Sequence, residues 1–112
     1  MVSINPTGVF DTVDYSAVFI GGLHEMYNFI VNEIRYPAIA RDNGIEGTVY
    51  TKFIIEANGT ISNSEIVRGI GGGCDEECLR IIKLMSGNWI PANDNGVNIS
   101  MFFTLPFKFS LE

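Results

Sequence analysis

The residues with chemistry in them come in four places, and each falls short of an active site. His24-Glu25-Met26-Tyr27-Asn28 begins like a zinc-protease helix, but Asn28 stands where the second histidine belongs. Without two imidazoles one turn apart there is no zinc and no activated water, so His24 reads as an ordinary surface or boundary residue. Cys74 and Cys78 sit four apart on a helical stretch and share a face. A disulfide at that spacing would be strained, and a metal would need two further ligands, so they read as two small buried residues. Gly69-Ile70-Gly71-Gly72-Gly73 precedes the same helix and could suggest a phosphate cradle. Asp75, Glu76 and Glu77 would confront that phosphate with three carboxylates, and no lysine follows the glycines. Asn58-Gly59-Thr60 matches a glycosylation acceptor, but a turn already accounts for it. No serine or cysteine has a histidine base nearby in sequence. The residues specify no catalytic group, no metal and no cofactor, and the chain does not read as an enzyme.

The bulk properties narrow the remaining classes. At 112 residues the chain makes one domain, and 46% hydrophobic with 12% aromatic residues is the composition of a folded one. A net charge of −6, with seven scattered Lys and Arg, argues against nucleic acid and against an anionic membrane surface. No apolar run approaches the ~20 residues of a membrane span, and no signal peptide opens the chain.

The elements that must position any site are legible in the hydrophobic rhythm. Over Glu46–Gly69, Val49, Thr51, Phe53 and Ile55 alternate with Thr48, Tyr50, Lys52 and Glu56, the pattern of a half-buried strand. Asn58-Gly59 predicts a tight primed turn. The odd offset from Ile61 to Ile66 predicts a β-bulge near Ser62–Asn63 in the returning strand. Upstream, Leu23, Met26, Tyr27, Ile30, Val31 and Ile34 form a helical stripe, and Pro37 opens a short helix closed at Asn43-Gly44. A further helix spans about Cys74 to Met85, with Cys74, Cys78, Ile81, Ile82 and Met85 inward. Val97, Ile99, Met101, Phe103, Leu105, Phe107 and Phe109 alternate as one last strand. The fold class expected is α+β: a two-layer sandwich with a small antiparallel three-stranded sheet and helices on one face. The first hairpin strand takes the centre, and Pro106, which lacks an amide hydrogen, puts the last strand at an edge. Val9–Asp14 could supply a short edge strand of its own.

Several of these stretches together resemble the C-terminal domain of the TonB family, in the form common in Bacteroidetes. The matching runs are Tyr36-Pro37-x-x-Ala40-Arg41, Gly44-Ile45-x-Gly47-x-Val49, Phe53-x-Ile55-x-x-x-Gly59-x-Ile61, Asp75-Glu76-Glu77-Cys78-Leu79-Arg80, Trp89-x-Pro91, and Gly96-x-x-Ile99 through Phe109. Tyr36, Pro37, Gly47, Gly59, Trp89 and Pro91 carry the signature. Ile20 stands where relatives often have proline, and Ala92 where a glycine often follows. The expected division is a leader over 1–21, which holds the Val9–Asp14 strand candidate, followed by the domain itself over 22–112. The resemblance implies a periplasmic protein, held at the inner membrane by an upstream anchor and coupled through it to a proton-driven motor complex. Its partner would be the TonB box of an outer-membrane transporter, bound by strand addition to a free sheet edge. Backbone parity then assigns the binding edge to Asn98, Ser100, Phe102 and Thr104, with Ile99, Met101 and Phe103 bonded to the central strand. Two other readings keep the fold: an interaction domain of a sensor or antirepressor-like membrane protein, or a structural domain whose edge is capped by Val9–Asp14 or a second copy. A monomer and a homodimer both fit.

Overall fold

The computed structural model describes residues 2–4, 7–8 and 16–111. Three long strands form the body of a five-stranded sheet where three were expected: β4 (Gly47–Ile55), β5 (Ile61–Arg68) and β9 (Met101–Phe109), with β4 between the other two and both pairings antiparallel. Val49, Thr51, Phe53 and Ile55 are buried, as are Met101, Phe103, Leu105, Phe107 and Phe109, so the alternation seen in the sequence is the inner face of the sheet. Thr51, polar yet fully buried, is tolerated there because its hydroxyl donates to the Leu105 carbonyl at 2.7 Å. This is the α+β sandwich that the pattern predicts.

The helical layer covers that inner face. In α3 (Cys74–Leu84), Cys74, Cys78, Ile81 and Ile82 are buried, and Met85 at its C-cap completes the stripe. In α1 (Leu23–Glu33) Met26 and Ile30 are buried and half-buried Phe29 packs against the core beside Phe19; Leu23, Tyr27 and Val31 of the sequence stripe are 66%, 42% and 44% exposed. The apolar stripe of α1 is broader than the contact it makes. A single turn of helix, α2 (Ala38–Asp42), buries Ala40 and sends the chain into β4.

The turns and strand ends depart in part from the sequence reading. The hairpin turn is not the two-residue primed type: Gly59 N–H donates to the Glu56 carbonyl and Glu56 N–H to Thr60, leaving Gly59 as the turn's one residue at positive φ (+85°). Asn95 and Gly96, at φ +54° and +81°, form that primed turn instead, between β7 (Ala92–Asp94) and β8 (Val97–Ile99). The last apolar run is therefore two strands, β8 and β9, broken at Ser100. The bulge near Ser62–Asn63 is present, with Asn63 at φ +50°, and a second register shift follows between Tyr50 and Thr51. A further small pair, β3 (Val18–Phe19) with β6 (Trp89–Ile90), closes the end of the core under Trp89.

The outer edge of β9 is where the largest correction lies. It is not open along its length: β1 (Val2–Ile4) pairs antiparallel with Phe107–Phe109, and β2 (Thr7–Gly8) with Phe103 and Thr104. The strand expected over Val9–Asp14 falls outside the described residues.

Candidate functional site

The two long edges of the sheet are built differently. The edge strand β5 carries both register shifts and a left-handed Asn63, and the amide of Ile61 is already bonded to Ser86 Oγ at 2.8 Å. Bulges twist such an edge away from an incoming strand. β9 runs against β4 for nine consecutive residue pairs without a shift, so its other edge is straight. A straight edge offers evenly alternating amides and carbonyls, which is what strand addition requires.

Of the four residues assigned to the binding edge, Phe102 and Thr104 lie on β9 itself. Thr104 has Thr7 opposite it on the outer side and Lys52 on the inner. Ser100 occupies the break before β9, and Asn98 is carried in the β7–β8 hairpin opposite Asn93. The break at Ser100 separates the four residues into two strands, which alternation alone does not reveal.

On the outer face, Phe102 is half exposed and Lys52 Nζ lies 4.3 Å from its ring centroid. Shallow depressions flank the ring, one lined by Ile54, Glu56, Ser100 and Met101, the other by Lys52, Asn63, Ser64 and Glu65. A strand added along β9 would set alternate side chains beside this aromatic and ammonium pair.

The signature residues hold the scaffold rather than line the edge. Tyr36 meets Phe109 edge-on at 5.4 Å between ring centroids, and its hydroxyl donates to the Ile45 carbonyl. Desolvation first, then the nearby Cys74 and Glu46, push its phenol above the usual range. Pro37 caps α2 in extended conformation. Gly47, at φ +144°, lies where a Cβ would come 3.0 Å from Ile70. A Cβ on Gly59 would fall 2.4 Å from the Trp89 carbonyl oxygen, so the hairpin tip and the tryptophan loop are in backbone contact. Trp89 packs edge-on to Phe19 and Phe103 at 5.5 and 5.0 Å, and also on Phe53 at 6.1 Å. Half-buried Pro91 links β6 to β7.

The groups that invited catalytic readings are accounted for structurally. His24 is exposed on α1. Cys74 and Cys78 are free, buried thiols, and burial raises both above the ordinary range, with the neighbouring carboxylates adding to it. The glycine loop does hold a carboxylate: Asp75 Oδ1 accepts from the amides of Ile70 and Gly71, at 3.0 and 3.4 Å. Glu77 feels burial pushing its carboxyl up, but the two-pronged Arg80 contact (2.9 and 2.8 Å) and the Arg35 amide (2.7 Å) outweigh it and hold it low. Arg80 also donates to the Glu33 carbonyl at 2.9 Å, so this pair fastens the end of α1 to α3. Among the described residues, no three His, Cys, Asp or Glu side chains gather as a metal site, and no helix is long and apolar enough to cross a membrane.

Residues 32–111 match the family described as Gram-negative bacterial TonB protein C-terminal. The chain belongs to the TonB C-terminal family. It is 33% identical over 79 residues to Protein TonB of Vibrio cholerae, an alignment covering 70% of this chain. The chain spans 32% of that relative's length. The TonB C-terminal fold is also seen in two NMR solution structures of the Helicobacter pylori TonB C-terminal domain, both 24% identical. One aligns with a TM-score of 0.60 over 80% of this chain and 94% of its own, the other with 0.63 over 80% of each. The TonB match begins at Asn32, near the end of α1, so β1, β2 and most of α1 precede it.

Sequence reasoning missed the N-terminal strand pairing. Its signal was available, since Val2-Ser3-Ile4-Asn5 alternates apolar with polar.

Proposed function

We propose that this domain is a non-catalytic peptide grip of the TonB kind. It takes up an extended segment, the TonB box of an outer-membrane transporter, as an added strand along β9. In the complete protein an upstream anchor links it to a proton-driven motor complex at the inner membrane, and the domain works in the periplasm. The observation that carries this reading is that the outer edge of β9 already accepts short antiparallel strands, at Phe103–Thr104 and Phe107–Phe109. The straight β4–β9 register and the bulged, partly bonded β5 edge favour the same side of the sheet. Phe102, with Lys52 against its ring, supplies the side-chain contact that backbone bonding lacks.

The test is a titration of the domain with synthetic TonB-box peptides, followed by backbone amide shifts. Changes concentrated on Met101–Phe109 and on the Phe102 ring are expected, with Phe102→Ala weakening binding about tenfold, as for other buried aromatic anchors. Changes confined to β5, or to the exposed stripe of α1, would refute the assignment of the edge.

A further inference from the structure

The pairing of β1 and β2 on β9 uses the same backbone edge that the proposed grip needs, and the inference below rests on that reading. Ile4 stands opposite Phe107 and Thr7 opposite Thr104, so both stretches keep one register, three residues apart on each strand. Val2 and Ile4 stand opposite Phe109 and Phe107, whose rings are buried on the inner face. Ser3 and Thr7 stand opposite Lys108 and Thr104, which belong to the outer face. The residues Val2, Ser3, Ile4 and Thr7 thus alternate apolar and polar in step with the faces of β9, as an added strand must.

The same pairing is poorly built for permanence. Among the described residues it comprises five residue pairs, against nine uninterrupted pairs between β4 and β9. Between the two stretches β9 carries Pro106, which has no amide hydrogen to give to a neighbouring strand. Among the described residues of β1 and β2, none is paired with Met101 or Phe102, and the Phe102 side chain is half exposed. An incoming strand would meet the exposed ring of Phe102 at this end of β9.

We propose that Val2–Ile4 and Thr7–Gly8 act together as an intramolecular placeholder for the peptide: they occupy the β9 edge until a partner strand, starting at Met101–Phe102, displaces them. Two consequences follow. The edge is shielded from pairing with other chains while no partner is present. The apparent affinity for a partner peptide is reduced by the fraction of molecules in which the edge is uncovered. A tethered strand competes at high effective concentration, so even a weak pairing acts as a threshold.

The experiment compares the whole chain with a Val2→Asp, Ile4→Asp variant, which sets carboxylates opposite Phe109 and Phe107. Binding of synthetic TonB-box peptides is measured for both, and amide exchange is read along Phe103–Phe109. Faster exchange there in the variant, and binding about tenfold or more tighter than in the parent, are expected. A synthetic peptide of the sequence Val2–Gly8, added in excess to the unmodified chain, is expected to compete with the box peptide; this arm needs no substitution and is immune to misfolding of the variant. Equal affinities for parent and variant, or no competition by the synthetic segment, would overturn the placeholder while leaving the grip intact. If neither form binds a box peptide, yet the variant's β9 amides open and close again on adding the synthetic segment, the placeholder stands and the proposed function falls.

Discussion

Replacing Gly59 by alanine tests the contact between the hairpin tip and the tryptophan loop, and the structure supplies its own control. Gly59 has φ +85° and a Cβ there would lie 2.4 Å from the Trp89 carbonyl oxygen. Gly96 has nearly the same backbone, φ +81°, but nothing within 4 Å of its Cβ position. Alanine at Gly96 therefore incurs only the left-handed penalty, offset in part by a stiffer unfolded chain, or about 1 kcal/mol net. Alanine at Gly59 adds a clash with backbone, which cannot swing aside as a flexible side chain would. Trp89 cannot retreat either, for its ring is held among Phe19, Phe53 and Phe103, and Gly87 N–H is bonded to the Gly59 carbonyl at 3.1 Å. Forcing extra volume into such packing costs about 1–3 kcal/mol, for a total of about 2–4 kcal/mol. Urea unfolding followed by the fluorescence of Trp89, the chain's single tryptophan, measures both variants. A loss at Gly59 within about 0.5 kcal/mol of the loss at Gly96 would show that only the backbone angle matters and that the contact is not holding the loop.

Tyr36→Ala removes the ring that meets Phe109 and the hydroxyl bonded to Ile45, and is expected to cost about 3 kcal/mol or more; Tyr36→Phe, which loses only the hydroxyl, about 1 kcal/mol. A loss below about 1 kcal/mol for the alanine variant in denaturant melts would contradict the packing role. Glu77 has a folded-state pKa below its unfolded value of 4.5, so its stabilising effect is complete above that pH. It is lost as pH falls through the folded value; Glu77→Gln should flatten the acid limb of a stability–pH profile, and an unchanged limb would rule the contact out as its source.

Periodicity by itself determined the sheet and its helical cover. Val49 to Ile55 and Met101 to Phe109 alternate because one face of each strand is sealed from water, and burial is written into residue type. The inward stripe of α3 and the odd offset at Ile61 and Ile66 are local signals of the same kind, and the bulge at Asn63 follows from the second. What the pattern could not decide depended on contacts distant in sequence. Both Asn58-Gly59 and Asn95-Gly96 carry the residues of a primed turn, yet only the second adopts it. At the first, Gly59 must meet the Trp89 backbone, and the chain forms a longer turn. Val97 and Ile99 keep the rhythm of β9 but belong to a separate hairpin, so parity carried across Ser100 placed Asn98 on an edge it does not share. The stripe of α1 shows which residues are apolar, not that Leu23, Tyr27 and Val31 would find no partner in the core. The state of the β9 edge was least legible of all. An edge amide leaves no mark in a side-chain pattern, so only the folded chain, bringing Val2–Ile4 and Thr7–Gly8 against residues 103–109, decides that the edge is covered.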